Sequence, residues 1–281
     1  MKFLVILLGF VCTAALAAPN APNVNSFHKT YIKDREISPS DDTRIIGGQN
    51  AIRNQFPYQV SVQWDSGASP RHFCGGSLIS ASVVLTAAHC IQSSGSYSIL
   101  AGILSLDENS SSRQSRGASS IVVHENWPTG GSSGSSAFDI ALIKVNPPFD
   151  LSSSVQPIAL PSQGADVSGA AIYSGWGRIS TSDPLPASVL QYAIGNIISN
   201  QRCADILVNL FTTSSPLDDS QICTDGEQGV AACSGDRGGP LVRNGVQVGI
   251  AAWGPSPCGV STAPTVSTKV SSYVNWINAN M

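Results

Sequence analysis

Three short motifs bring together residue types that can carry out acyl transfer. His89 lies in the segment TAAHC at residues 86–90, and Asp139 opens the otherwise apolar segment DIALI at residues 139–143. A buried carboxylate beside a histidine fixes the tautomer of the imidazole and stabilises its protonated form. The third segment reads GDRGGP at residues 235–240. An isolated histidine is more often structural than catalytic, so the prediction of chemistry depends on the three motifs together.

The elements that must hold these motifs in place are short strands. Runs of β-branched and aromatic residues are separated by clusters of Gly, Ser, Pro and Asn, which is typical of strands joined by turns. This alternation predicts an all-β sandwich or barrel and not a parallel α/β sheet. The clearest predicted strands lie at residues 58–62, 82–85, 121–123, 140–145 and 246–250.

The C-terminus contains the main predicted helix. Val270, Tyr273, Val274 and Ile277 follow the i, i+3, i+4, i+7 spacing of one helical face. We expect that face to dock on the body of the protein. Residues 130–136 consist of Gly and Ser alone, which predicts a flexible surface loop.

The N-terminal part of the chain is predicted to be a leader followed by a linker. Lys2, the apolar run after it and the small residues at 15–17 form the pattern of a secretory signal peptide, so residues 1–17 are expected to be removed. The apolar run is too short for a stable membrane span, and no membrane association is expected. Residues 18–44 are polar and predict a propeptide or linker, and residues 45–281 predict one folded domain.

Charge and cysteine content narrow the function classes. The chain carries 15 Lys and Arg against 18 Asp and Glu, a net charge of -3, which argues against a basic surface for nucleic acid. Of 7 Cys, Cys12 leaves with the leader, and the remaining 6 are an even set suited to disulfides outside the cell. Six cysteines allow fifteen pairings. No Cys and His cluster has zinc spacing, so no metal or other cofactor is expected.

Seven motifs in order make residues 45–281 resemble the trypsin and chymotrypsin-like serine proteases. Within that family the chain is most similar to the arthropod chymotrypsin-like and brachyurin-like branch. The ordered set is specific, whereas any single motif would be weak. The motifs are IIGG at 45–48, FCGGSL at 73–78, TAAHC at 86–90, DIALI at 139–143, SGWG at 174–177, GD-x-GGP at 235–240 and Trp253-Gly254.

The resemblance implies a fold of two six-stranded antiparallel β-barrels with a cleft between them and a C-terminal helix. It implies that His89 is the catalytic base and that Asp139 orients it. The backbone N–H groups of Gly235 and Arg237 would form an oxyanion hole. The implied disulfides join Cys74 with Cys90, Cys203 with Cys223, and Cys233 with Cys258.

The resemblance also implies a zymogen. A trypsin-like protease would cut between Arg44 and Ile45, and the freed amine of Ile45 would pair with Asp236 and order the oxyanion loop. An uncleaved domain with a dangling tail is the alternative. A chain without a nucleophile cannot cut itself, so the cut would require another protease.

One position departs from the family pattern, because Arg237 stands where the family has its nucleophilic serine. A guanidinium offers no nucleophilic lone pair, and its fixed charge opposes the formation of imidazolium at His89. The long side chain must either occupy the cleft or turn away, for example to pair with Asp139. Ser234 lies three positions earlier, too far for its short hydroxyl to substitute. The pattern therefore predicts the loss of covalent catalysis.

Three further substitutions lie at the implied substrate pocket, which includes Trp253 and Gly254. Ala252 lacks the hydroxyl that supports the catalytic acid in the family. Ala231, at the base of the pocket, offers no acid to attract Lys or Arg, and Thr265 replaces a wall glycine and narrows the pocket. The groove should favour small or apolar side chains. The same three changes are compatible with altered specificity in an active relative.

Asn109 lies in an N-x-S sequon within a polar loop and is a predicted glycosylation site. Asp107 and Glu108 beside it supply too few oxygens for a Ca²⁺ site. The other histidines are interpreted as surface or structural residues: His28, His72 and His124.

Two function classes follow from these motifs. The loss of the nucleophile favours a secreted, monomeric protease homologue that acts by binding extracellular proteins or peptides. It would compete for substrates, sequester protease inhibitors or serve as a cofactor in extracellular fluid. The alternative is an active chymotrypsin- or elastase-like endopeptidase with a nucleophile that the sequence does not reveal. A storage role would leave the retained cleft residues unused.

Overall fold

The computed structural model describes residues 48–67, 69–128, 136–179, 185–211, 217–226, 231–256, 258 and 262–281. The predicted leader, the predicted propeptide and the Arg44–Ile45 bond lie outside these residues. So does nearly all of the predicted Gly and Ser loop at 130–136. The strands are β1 Gln49–Asn50, β2 Gln59–Asp65, β3 Arg71–Ser80, β4 Val83–Thr86, β5 Ser96–Ala101, β6 Gln114–Val123, β7 Ala141–Val145, β8 Gly169–Gly175, β9 Gln191–Ile198, β10 Gln221–Gly226, β11 Pro240–Arg243, β12 Val246–Trp253 and β13 Thr262–Lys269.

The first barrel contains six strands that close in the order β2-β3-β4-β7-β6-β5, each antiparallel to its neighbours. Alternate side chains of each strand face inward, as the period of two requires. In β2, Val60 and Val62 are fully buried, and across β4 and β7 Leu85 lies opposite Leu142 with both fully buried. This barrel supplies the strand ends that carry His89 and Asp139.

The second barrel closes in the order β8-β9-β10-β13-β12-β11, and β11 returns to β8, again with antiparallel pairs throughout. The short strand β1 adds to β9 as an extra edge. The prediction of two six-stranded antiparallel barrels is confirmed. The five strand predictions are also confirmed, since each overlaps one of β2, β4, β6, β7 and β12.

Two buried polar contacts connect the barrels. The Ser77 hydroxyl of β3 donates to the side-chain carbonyl of Gln247 in β12 at 2.6 Å. The Ser174 hydroxyl of β8 donates to the side-chain carbonyl of Gln59 in β2, also at 2.6 Å. All four residues are buried. Because a buried polar group without a partner costs about 1–3 kcal/mol, each contact favours one alignment of the barrels over a slipped one.

The predicted C-terminal helix is present as a 3₁₀ turn at Val270–Ser272 followed by α2 at Val274–Asn280. The four residues of its predicted face are all buried: Val270, Tyr273, Val274 and Ile277. Among the described residues, no helix combines the length and the apolar character that crossing a membrane requires.

The helix α1, at Asn200–Phe211, was missed by the sequence analysis. Among the helix residues whose burial is described, Cys203 and Leu207 are buried and Val208 and Leu210 are exposed, so the apolar period is short and blurred. The hydroxyl of Ser199 accepts a hydrogen bond from the Arg202 N–H at 3.2 Å, which caps the first turn.

Three disulfides join the six cysteines of the domain as the family resemblance implied: Cys74 with Cys90, Cys203 with Cys223, and Cys233 with Cys258. The first connects β3 to the 3₁₀ turn Ala88–Cys90, which carries His89. The third connects the loop before Arg237 to the segment after β12. Two of the three disulfides therefore hold segments that line the cleft.

Removing the first disulfide by replacing Cys74 and Cys90 with alanine should lower the free energy of unfolding by about 3 kcal/mol. The two cysteines are 16 residues apart, and the chain-entropy model gives that value for a loop of this size. Urea unfolding of the wild type and the double variant measures the difference. An unchanged free energy of unfolding would contradict this account.

Candidate active site

His89 and Asp139 meet at one end of the first barrel. His89 lies in the 3₁₀ turn after β4, and Asp139 immediately precedes β7. The His89 Nδ1 atom lies 2.7 Å from Asp139 Oδ2, and the His89 backbone N–H donates to Oδ1 at 2.9 Å. With Nδ1 bound to a carboxylate that is 1% exposed, a neutral ring carries its proton on Nδ1 and leaves Nε2 as the basic nitrogen.

The Asp139 carboxylate is supported by His89 alone within the described part of the chain. Ala252, which is buried, brings no hydroxyl to it. The nearest hydroxyl contact comes from Thr268, whose Oγ1 donates to the backbone carbonyl of Asp139 at 2.9 Å and not to its carboxylate. The support expected from a serine at position 252 is therefore missing.

The loop that contains Arg237 is held by its main chain. The Gly75 N–H of β3 donates to the Arg237 carbonyl at 2.8 Å, and the Gly238 N–H donates to the Ala251 carbonyl at 2.7 Å. Gly235 and Gly238 have φ values of 102° and 78°, which L side chains rarely adopt. These two bonds join main-chain atoms, so neither of them requires a particular side chain at position 237.

His72 fixes the orientation of the Gly235 peptide group. Its Nε2 lies 2.9 Å from the Gly235 carbonyl, and its Nδ1 lies 2.9 Å from the Ser61 hydroxyl. Burial lowers the pKa of His72 to about 4, despite the opposing effect of the bond to Gly235, so the ring is neutral at physiological pH. Since a carbonyl only accepts, Nε2 donates to Gly235 and Nδ1 accepts from Ser61.

From its sequence context His72 was predicted to be a surface or structural residue, and its positioning role toward the oxyanion loop was not predicted. The motif RHFCGG at 71–76 places His72 two residues before Cys74. This position indicates a structural residue near the cleft. It does not indicate that the hydrogen-bond partner is Gly235, which lies 163 residues away in the chain.

The N–H groups of Gly235 and Arg237 have no acceptor among the described residues. Every other N–H from Asp236 to Gly239 donates within the loop or across to a neighbouring strand. Two unpaired donors on one short loop, beside the His89 and Asp139 pair, are the arrangement that stabilises an oxyanion in acyl-transfer enzymes. Here they are available to any anion that enters the cleft.

Arg237 is exposed and forms no ion pair with a described carboxylate. In particular, it does not pair with Asp139, whose two oxygens are both engaged by His89. Ser234 makes no hydrogen bond with His89 either. Arg237 is one of the residues that line the cavity described next, so this position lies at the cleft.

The cavity beside Arg237 has about 430 Å³ of empty volume including its open mouth, and no acid is found among the described residues that line it. Ala252, Trp253 and Gly254 form one wall, with the disulfide between Cys233 and Cys258 beside them. Thr265 lines it as well, and its Oγ1 accepts the Ala232 N–H at 3.3 Å, which joins two walls. Ala231 is buried and does not line the cavity itself, although its neighbour in sequence, Ala232, does. Arg237 carries the only formal charge among the described residues that line this cavity.

Asp236 lies under the loop with only 2% of its surface exposed. Its carboxylate accepts the Gly177 N–H at 2.7 Å and the Cys233 N–H at 2.9 Å. Burial raises the pKa of Asp236 to about 6, while these two bonds oppose the rise. No cation contacts it among the described residues, and its implied partner Ile45 lies outside them.

The remaining predicted positions lie away from the cleft. Asn109 is exposed. Glu108 beside it pairs with Arg53 at 3.0 Å, and although burial opposes the change, hydrogen bonds from Arg53, Ser110 and the Ser105 N–H lower the pKa of Glu108 to about 2. Its oxygens are thus engaged by the protein itself.

The described residues contain one cluster of ligand-type side chains close enough for a metal: Cys74, His89 and Cys90. The two sulfurs are bonded to each other, so the cluster offers no thiolate. His124 is buried and stacks on Trp276 with ring centroids 5.0 Å apart, a structural contact.

Two barrels that meet at a histidine–carboxylate pair, opposite a loop of free N–H donors, define the class as a trypsin-like serine protease domain. Comparisons with known proteins agree with this class. The family model described as Trypsin matches residues 45–277. The chain therefore belongs to the trypsin family.

The relatives include proteins from insects and mammals. The chain is 38% identical to Chymotrypsin-2 of Vespa crabro over 239 residues, which span 84% of this chain and 99% of that protein. It is 36% identical to Chymotrypsin-C of Rattus norvegicus over 252 residues, which span 85% of this chain and 90% of that protein. The solved structure of neuropsin, a serine protease expressed in the limbic system of mouse brain, superposes with a TM-score of 0.72 at 29% identity, over 83% of this chain and 98% of that one.

The buried Asp236 carboxyl should make the uncleaved protein less stable as pH rises. Its pKa increases from an ordinary 3.8 to about 6 on folding, so the folded state binds this proton more tightly than the unfolded state. The contribution to stability is fully present below about pH 4 and is lost as pH rises through about 6, a difference of about 3 kcal/mol. Urea unfolding between pH 4 and 7 should show this fall in the wild type relative to the variant Asp236→Asn. Parallel pH profiles for the two proteins would refute the assignment.

Proposed function

We propose that this protein is a secreted, non-catalytic member of the trypsin family that acts by binding extracellular proteins or peptides. The observation that carries the proposal is Arg237, an exposed guanidinium at the position of the nucleophile, with no hydroxyl bonded to His89. A guanidinium stays protonated at all accessible pH values and cannot attack a carbonyl. Acyl-enzyme formation therefore has no attacking atom.

The arrangement around His89 supports the same conclusion. The contact of its Nε2 with another residue is to Cys90 Sγ at 3.8 Å, and that sulfur belongs to a disulfide. The positive charge of Arg237 would oppose protonation of the imidazole, which the base must undergo during catalysis. The carboxylate that would stabilise the imidazolium has lost its hydroxyl support at Ala252.

The alternative is an active chymotrypsin- or elastase-like endopeptidase. Similar proteins carry the names chymotrypsin and chymotrypsin-like elastase, and the cavity without an acid fits small or apolar side chains. The pair of His89 and Asp139 is also retained. This alternative requires a nucleophile other than residue 237.

Secretion is supported by the leader pattern in residues 1–17, by the three disulfides and by the exposed sequon at Asn109. We propose that a trypsin-like protease cuts after Arg44 and that the freed Ile45 amine pairs with the buried Asp236. The secreted monomer would then compete for substrates, sequester protease inhibitors or act as a cofactor for an active protease.

A fluorophosphonate probe tests the proposal, because it labels an activated serine covalently. The full chain, before and after cleavage by immobilised trypsin that is then removed, should give no adduct by intact mass spectrometry. Stoichiometric labelling of the wild type would overturn the non-catalytic assignment. Apolar peptide esters assayed in parallel should show at most about 10³–10⁴-fold acceleration over water, from the remaining groups of the cleft.

The substitution Arg237→Ser should restore labelling after cleavage and raise ester turnover by about 10³-fold, because the main chain already holds the donor loop in place. The matched control is Arg237→Ser combined with His89→Ala, which keeps the new hydroxyl and removes its base. If the single variant folds but stays unlabelled, adding Ala252→Ser shows whether the lost hydroxyl support is the second defect.

A further inference from the structure

The cleft offers three positively polarised groups that no described residue satisfies. Two are the N–H groups of Gly235 and Arg237, and the third is the guanidinium of Arg237. We propose that together they bind the free C-terminal carboxylate of a polypeptide whose last residue is small or apolar. This inference rests on the proposed function, since it takes the cleft to bind without cutting.

The donors are held in place before any ligand arrives. The Gly235 N–H shares its peptide unit with the Ser234 carbonyl, which accepts the Arg178 N–H at 2.8 Å. The Arg237 N–H shares its peptide unit with the Asp236 carbonyl, which accepts the Gly239 N–H at 2.9 Å, so this unit is fixed as well. A carboxylate entering the cleft would therefore gain hydrogen bonds without the cost of ordering the loop.

The charge of the cavity favours an anion. Arg237 is its only charged lining residue, and its guanidinium has no acidic partner in the described structure. The two nearby acids are both buried: Asp139 accepts bonds from His89, and Asp236 accepts bonds from Gly177 and Cys233. A guanidinium can bind a carboxylate through two parallel hydrogen bonds, which a water molecule cannot replace.

The neighbouring walls indicate which carboxylate fits. Arg237 borders a cavity that is also lined by Ala252, Gly254 and Thr265, and none of the described lining residues is an acid that would attract a basic side chain. In a C-terminal residue the carboxylate and the side chain branch from one carbon, so the first can reach the donors while the second enters the cavity. A Glu or Asp side chain would bring its carboxylate to the donors but leave the apolar walls unfilled.

This ligand is the product of peptide hydrolysis. A protease that cuts after small or apolar residues releases chains with this kind of C-terminus. The protein would then recognise proteins that an active protease has already cut, and it would ignore the same sequences while they remain uncut.

Fluorescence polarisation with the full chain tests the inference. Three fluorescein-labelled pentapeptides are compared: one that ends in valine with a free carboxylate, its C-terminal amide, and an amide that ends in glutamate. The free acid should bind at least tenfold more tightly than either amide. The variant Arg237→Ala should lose at least tenfold affinity for the acid and little for the amides. The control Arg113→Ala, which removes an exposed arginine from the loop between β5 and β6, should bind like the wild type.

Several results would overturn this inference. They are equal binding of the acid and its amide, tighter binding of the glutamate peptide, and an acid preference that survives Arg237→Ala. With no fluorophosphonate adduct, any of these outcomes rejects the carboxylate site and leaves the non-catalytic assignment standing. Labelling of the wild type instead rejects the non-catalytic assignment itself, so the two failures are distinguishable.

Discussion

A main-chain contact between the two barrels determines the geometry of the cleft. The Gly75 N–H donates to the Arg237 carbonyl, and a Cβ on Gly75 would come within 2.8 Å of the Gly239 Cα. Side-chain carbons do not approach backbone atoms so closely, so only glycine allows the barrels to meet at this distance. The position of the donor loop relative to His89 thus depends on this backbone contact and on the glycine at position 75, together with the side-chain contacts of His72 and Asp236.

The retention of His89 and Asp139 has an explanation that does not require catalysis. Asp139 is buried, and its carboxylate is satisfied by the ring and the backbone N–H of His89. Removing the histidine would leave a buried charge without its partner, a loss that typically costs about 3–5 kcal/mol. The pair therefore stabilises the end of the first barrel as well as forming part of the cleft, and its presence alone does not distinguish an enzyme from a binding protein.

Local sequence pattern was enough to predict the strands and the C-terminal helix. Short runs of apolar and β-branched residues between turn residues encode strands such as β2 and β7, and the spacing from Val270 to Ile277 encodes one helical face. Helix α1, which packs against β10 and β13, was missed because Cys203 and Leu207 are too few buried residues to produce a clear helical period. The disulfide pairing came from family resemblance, since six cysteines alone leave it open.

The sequence predicted which residues lie at the cleft but not which contacts they make there. Motifs identified His89, Asp139 and the substitution at position 237. They did not reveal that the Gly235 carbonyl faces His72, or that Arg237 lines the cavity and does not pair with Asp139. Both facts depend on contacts between segments far apart in sequence.

The exposure of the Arg237 side chain has a consequence for how such proteins evolve. Protein quality control in the cell acts on folding and export. A solvent-exposed residue without contacts that stabilise the fold is compatible with both, whether it is a serine or an arginine. A duplicated protease gene can therefore exchange its nucleophile in one mutational step while its yield and secretion remain intact. Selection can then act on ligand choice from the first generation, with no period in which the scaffold must be repaired.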